Sequence, residues 1–141
     1  MDVAAIKQEV RNMIEQMFVA FKNHDTSAID AIMDPDATLW DVFLPNLIKG
    51  AQERQSFHEA DQDQMQTRGS LTVSMTDPTI DTWDDVVLAR YYLDFEYQPP
   101  NPTKGVIRMT DVMRRSADGR LRIIHHHEGM VPTGIPPINK S

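Results

Sequence analysis

The sequence predicts an α+β fold in which three N-terminal helices pack on a strongly curved, mostly antiparallel sheet. Two observations carry that expectation. Apolar residues recur at three- and four-residue spacing early in the chain, and after about residue 70 the period changes to two. A third is the Asp118-Gly119 pair between two alternating runs, which marks a hairpin close to the C-terminal end.

In chain order, Ile6, Val10, Met13, Ile14, Met17, Phe18 and Phe21 place one apolar stripe on a first helix of about five turns. The stretch "HDTSAIDAIM" restarts helical spacing after the cap candidates Asp25, Thr26 and Ser27. It stops before Pro35, because the residue preceding a proline avoids helical angles. "DATLWDVF" reads as a strand. "GAQERQSFHEADQDQMQ" reads as a mostly polar helix with little to bury beyond Phe57 and Ala60. Four strands follow as a meander: "SLTVSMT", which alternates strictly, then "VVLARYYLDFEYQ", "GVIRMTDVMRR" and "RLRIIHHHEGM". No internal repeat is visible. The whole chain, 1–141, reads as one domain, with 131–141 a Pro-rich extended tail.

At 141 residues the chain can bury roughly 68% of the surface its unfolded form exposes, so it needs no covalent staple. It contains no cysteine, which excludes disulfides, thiolate metal sites and a cysteine nucleophile. The N-terminal "MDVAAIKQEV" lacks the unbroken apolar run of a signal peptide or membrane span, so a cytoplasmic protein that does not engage membranes is expected. A net charge of −7 opposes binding to phosphate backbones. Arg108, Arg114, Arg115, Arg120 and Arg122 cluster in sequence, but Asp111 and Asp118 interrupt them and no aromatic platform is interleaved. No nucleic-acid partner is expected.

"VVLARYYLDFEY" is apolar on much of both faces, and a sheet of that kind needs two covers. The helices supply one. A second copy of the chain is the expected other, giving a homodimer. A curved sheet wrapped around a helix also encloses a cone-shaped cavity, where polar side chains pointing inward become candidates for chemistry.

"RIIHHHEGMVP" holds His125, His126 and His127, three of the five histidines. If Asp118-Gly119 is a two-residue turn, then Ala117 faces Arg120, Arg115 faces Arg122, Met113 faces Ile124, Asp111 faces His126 and Met109 faces Glu128. A four-residue loop would shift these partners by two and keep the faces. A three-residue bulged loop would set Asp111 against His125 and His127 instead. Asp111 is unusual in mid-strand, because aspartate is depleted there and costly to bury unpaired. His126 is its natural partner, since an Asp–His hydrogen bond fixes the imidazole tautomer and raises its basicity. Asp41, after Trp40 at a strand end, is read either as a turn cap or as a pocket carboxylate.

"AIMDPDATLWD", "MTDVMRRSADGRLRI" and "HHHEGMVP" together resemble the nuclear transport factor 2-like superfamily, in particular its steroid delta-isomerase and SnoaL-like polyketide cyclase branch. The resemblance covers nearly the whole chain and implies a cone-shaped, cystatin-like fold that dimerises through the outer face of its sheet. It also implies that Asp41 is a general base at the end of the first strand, and that Asp111 matches a second aspartate that donates to an oxyanion. The isomerases' helix tyrosine is replaced here by Met17 and Phe18, and His126 and Glu128 stand where those enzymes carry small or aromatic residues. Steroid isomerisation is therefore not favoured. "HHHEGMVP" is also similar to the association domain of calcium/calmodulin-dependent kinase II, which only assembles and binds.

The expectation is a SnoaL-like protein binding a small, largely apolar molecule, with acid–base chemistry beside a carbonyl: isomerisation, cyclisation or dehydration. Asp41 is the expected base, His126 the acid or proton shuttle, and Asp111 its orienter or an oxyanion donor. Trp40, Met17, Phe18, Glu128, Ile124 and Met113 are expected around the ligand. Asp111, His126 and Glu128 would make a carboxylate-rich ligand set, but no metal-motif spacing is present, and neither metal nor cofactor is expected. Nucleophilic serine chemistry lacks its Gly-x-Ser-x-Gly elbow. The alternative is a non-catalytic ligand-binding or oligomerisation domain of the same fold.

Overall fold

A computed structural model describes residues 2–65, 67–135 and 138. Helix α1 (Val3–Lys22) begins at Asp2, whose carboxylate accepts from the Ala4 and Ala5 N–H groups at 3.0 and 3.3 Å. Its inward stripe is Ile6, Val10, Met13, Ile14, Met17 and Ala20. Asp25 caps α2 (Thr26–Ile32) through the Ala28 N–H at 3.1 Å. The helix stops two residues before Pro35, and the chain turns directly into strand β1 (Met33–Trp40).

The rest follows as β2 (Ile48–Lys49), α3 (Gly50–Met65), β3 (Leu71–Met75), β4 (Thr79–Trp83), β5 (Val86–Tyr97), β6 (Thr103–Arg115) and β7 (Leu121–Met130). The sheet runs β2-β1-β7-β6-β5-β3, with β4 pairing β5 beside β3. All pairings are antiparallel except β1 with β7. Strands β2 and β4 were not expected from sequence. The former is two residues long, and the latter, "TIDTW", is too short and polar for a periodic signal. The expected strand "DATLWDVF" instead starts earlier, at Met33, and ends at Trp40. Pro35 is accommodated because the β1–β7 register shifts between Met33 and Thr38, where a missing N–H costs no ladder bond.

The terminal hairpin departs from the expected two-residue turn, yet it arrives at the expected pair. Arg115 faces Leu121, and Ser116 bonds Arg120, so the loop is Ala117-Asp118-Gly119, with Gly119 at φ +84°. That is the three-residue turn that should misalign Asp111. Met113 then faces Ile123 while Val112 faces His125, so Ile124 is an extra, bulged residue on β7. The two one-residue offsets cancel. Asp111 faces His126 and Met109 faces Glu128, whereas the expected pairs Met113–Ile124, Arg115–Arg122 and Ala117–Arg120 do not form.

Two further expectations change. On α3 the buried residues are Arg54 and His58, Phe57 is half-buried and Ala60 is exposed. Arg54 is tied to Asp30 of α2 at 2.9 Å, which pins α3 beside α2. Strand β5 alternates cleanly: Val87, Ala89, Tyr91, Leu93 and Phe95 are buried, while Arg90, Tyr92, Asp94 and Glu96 are exposed. Its outer face is therefore more polar than the run of letters suggests. One core, spanning α1, α2 and the inner face of β1, β5, β6 and β7, holds the buried apolar residues together.

Among the described residues, no helix is long and apolar enough to cross a membrane. Of the expected extended tail, Val131 bonds the Val106 carbonyl at 2.9 Å, while residues 136, 137 and 139–141 lie outside the described residues.

Candidate active site

Four adjacent strands each contribute to one line of polar side chains running across the inner face of the sheet. Asp41 leaves the end of β1, His126 and Glu128 stand on β7, Asp111 on β6 and Tyr91 on β5. The parallel pairing of Leu39 with His126 brings the residue two beyond Leu39, Asp41, alongside Glu128. Alternation, reset by the bulge at Ile124, turns Ile123, His126 and Glu128 inward.

Hydrogen bonds connect the line from Tyr91 to Glu128. Tyr91 donates its hydroxyl to Asp111 Oδ2 at 3.0 Å, and Asp111 Oδ1 bonds His126 Nδ1. His126 Nε2 lies 3.0 Å from Glu128 Oε2, and Glu128 Oε1 accepts the Val42 N–H at 3.2 Å. Asp111 is fully buried and His126 nearly so. Both imidazole nitrogens are thus taken by carboxylates, so His126 reaches the cavity with neither nitrogen free.

Charge follows from these contacts. Burial disfavours the His126 imidazolium, but the Asp111 carboxylate outweighs it with charge and hydrogen bond, Glu128 adds to this, and His126 is held well above its ordinary pKa. Burial, the largest influence, would likewise raise Glu128, yet the bond to His126, its charge and the Val42 N–H together outweigh it and lower the pKa. Asp41 goes the other way. Burial first and the Glu128 carboxylate second push it from 3.8 to about 7. Tyr91 is raised well above 10 by burial and by Asp111, so it remains a donor. The line then reads phenol, carboxylate, imidazolium, carboxylate, and a carboxyl that titrates near neutrality.

Two small adjoining chambers open against this line. The outer one, about 80 Å³, is walled by Phe43, Leu93 and Phe95; the inner one, about 70 Å³, by Met17, Leu39, Met109, His58 and His126. Phe18, Phe21, Phe57, Asp41 and Glu128 line both. A larger groove of about 830 Å³ lies between α1, α2 and the hairpin tip, remote from the polar line. Chambers of this size are well under the roughly 300 Å³ at which drug-sized ligand sites begin.

Of the residues singled out in the sequence, Asp41, Asp111, His126, Glu128, Met17 and Phe18 come together here. Trp40, 38% exposed, pairs with His127 and points away from the chambers. Met113 is core packing and lines neither chamber, and Ile124 occupies the bulge, half-buried, while its neighbour Ile123 takes the inward place. His125 bonds Thr38 at 2.6 Å on the outer face and His127 is exposed. Sequence reasoning missed Tyr91 and His58. Tyr91 was legible as a hydroxyl at an inward, mid-strand position of β5, whereas His58 sits on a helix that reads as polar.

Among the described residues, no three His, Asp or Glu side chains converge as metal ligands, and the donors of the line are engaged with one another.

The comparisons agree on the fold. A search of curated proteins finds no match. A nuclear transport factor 2-like protein of unknown function from Pseudomonas putida superposes with a TM-score of 0.77 at 23% identity, covering 89% of this chain and 87% of that one. A proposed dehydratase of the nuclear transport factor 2-like family from Streptomyces avermitilis gives 0.78 at 15% identity, covering 94% and 100%. The calcium/calmodulin-dependent kinase II hub of S. rosetta gives 0.70 at 17%, covering 88% and 95%. The SnoaL-like domain family matches residues 10–133. With that match spanning most of the chain and the cone-shaped sheet beneath it, the protein belongs to the SnoaL-like domain family.

Proposed function

We propose that this protein is a small-molecule enzyme that moves a proton at carbon beside a carbonyl, in an isomerisation, cyclisation or dehydration. The observation that carries the reading is Asp41, a cavity-lining carboxyl poised at about pH 7 next to an ionised Glu128. A general base works best when its pKa lies near the operating pH, and Asp41 is ionised about half the time there. As carboxylate it takes the proton from carbon; as carboxylic acid it returns the proton to another carbon or to a departing hydroxyl.

The other residues act through Asp41. Glu128 shares its proton and keeps its pKa high, and the His126 imidazolium keeps Glu128 ionised. Asp111 lines neither chamber, which favours the orienting role over that of oxyanion donor; Tyr91 holds its second oxygen. The apolar walls exclude water and favour a largely apolar substrate. No step calls on a metal or cofactor.

The second reading, a non-catalytic ligand-binding or assembly domain, is favoured by the small chambers and by the likeness to a kinase hub. Proton exchange separates the two. In D₂O, the protein is incubated with a panel of small ketones, enones and β-hydroxy ketones, and loss of the α-proton signal is followed by NMR. Catalysed exchange that disappears in Asp41→Asn supports the enzyme; no exchange above buffer with any member favours the binding domain.

The homodimer belongs to the same proposal. Its support is the outer face, where Trp40 and Tyr92 are exposed and Val112 and Leu88 half-buried around the His125–His127 pair.

A further inference from the structure

The inner chamber has a polar side chain of a second kind besides the carboxylates. His58 of α3 is nine-tenths buried, lines the same chamber as Asp41 and Glu128, and its Nε2 has no hydrogen-bond partner among the described residues. A buried polar nitrogen left unpaired is costly and rare in folded proteins. Nothing in the packing of α3 requires it: Arg54, one turn earlier, already anchors the helix to Asp30. The rest of the lining is largely apolar, with Met17, Phe18, Leu39, Phe57 and Met109, and includes the buried Arg54 that is paired with Asp30.

We propose that His58 is a ligand-recognition residue, and that the natural ligand is a small apolar molecule with two oxygen functions: a carbonyl whose neighbouring carbon lies at Asp41, and a hydroxyl bonded to His58 Nε2. A hydroxyl both donates and accepts, so it satisfies this nitrogen in either imidazole tautomer, which a carbonyl or ether oxygen does not. The substrate class is thereby narrowed from carbonyl compounds to hydroxylated ones, with the hydroxyl set across a chamber of about 70 Å³ from the carbonyl. An analogue lacking the hydroxyl leaves Nε2 unpaired, which is how a site built to bond a substrate hydroxyl discriminates.

This inference rests on the reading of the chamber as the substrate site, and two probes keep the tests apart. Acetophenone offers the carbonyl alone, and 3- and 4-hydroxyacetophenone add the hydroxyl at two positions. Affinities are measured by NMR titration for the intact chain and for His58→Leu. At least one hydroxylated probe is expected to bind about tenfold more tightly than acetophenone to the wild type, with that advantage gone in His58→Leu and acetophenone itself bound equally by both. A hydroxyl advantage that survives in His58→Leu, or is absent from the wild type, overturns the role of His58 while leaving the carbonyl site standing. If no probe binds, His58 is decided by melting temperature. A Tm unchanged or raised in His58→Leu supports a nitrogen kept unpaired for a ligand, and a clear drop assigns His58 to packing and overturns the proposal.

Discussion

Glu128 holds the Nε2 nitrogen of His126 at 3.0 Å, so the imidazole that Asp111 takes from one side is closed off on the other. The histidine expected to act as an acid lines the inner chamber, but both of its nitrogens are engaged by carboxylates.

The three neighbouring histidines should therefore differ sharply in what they contribute to stability. His126→Ala leaves the fully buried Asp111 without its cation and should cost roughly 3–5 kcal/mol, the usual loss when one member of a buried pair is removed. His125→Ala forfeits the bond to Thr38 and should cost about 1 kcal/mol, and His127→Ala, exposed, within about 0.5. Urea denaturation ranks them. If His125→Ala proves the most damaging, the bulge at Ile124 is misplaced and the whole line of side chains with it.

That bulge also marks the limit of what the sequence discloses. The helix stripes, the caps and the period-two strands are legible because each is local, set by spacing along a few turns or by one Asp beside a helix start. The Asp111–His126 pairing was reached through a turn of the wrong length, since a cancelling bulge leaves no periodic trace other than two adjacent outward residues, Ile124 and His125. Polar residues on α3 hid the other half of the site. Arg54, Phe57, His58, Asp61 and Met65 recur at helical spacing and all turn inward, but a search for apolar periodicity passes over a face built largely from charged and polar groups. Such a face is what a ligand chamber requires of the helix that closes it.

Stability should peak on the acid side of neutrality. Asp41 is raised from 3.8 to about 7, so its contribution is greatest below its ordinary value and is lost as pH rises through that window. His126 is also raised, and its contribution is lost above 6.5, as pH climbs toward its folded-state value. Glu128 is lowered, so its contribution is present above 4.5 and lost as pH falls below it. The three signs leave a maximum between about pH 4.5 and 6.5. Asp41→Asn should flatten the decline on the neutral side. Thermal melts from pH 4 to 9 check this, and a maximum above pH 8 would contradict the charge assignment of the line.

Light scattering at micromolar concentration should return twice the 16.1 kDa chain mass. If the outer sheet face is the contact, Trp40→Arg should shift the protein toward monomer while leaving the chambers intact, because Trp40 points away from them. A wild-type mass near 16.1 kDa sinks the dimer outright. A dimer indifferent to Trp40→Arg moves the contact to another surface.

Exchange kinetics should separate the residue that carries the proton from the one that tunes it. Asp41→Asn removes the acceptor and should lower the rate by ~10²–10⁴-fold at every pH, the usual range for a lost acid–base group. Glu128→Gln keeps the acceptor but removes the neighbouring negative charge, the second cause of the raised Asp41 pKa. The rising limb of the pH–rate profile, near pH 7 in the wild type, should then move to lower pH. It should stop short of 3.8, because burial, the larger cause, is untouched. A weaker base also removes a proton less readily, so the plateau of Glu128→Gln should fall even as its limb shifts. Were the limb to stay near 7 in Glu128→Gln and move in His126→Gln instead, the titrating group would be the imidazole. Asp41 would then be its bystander.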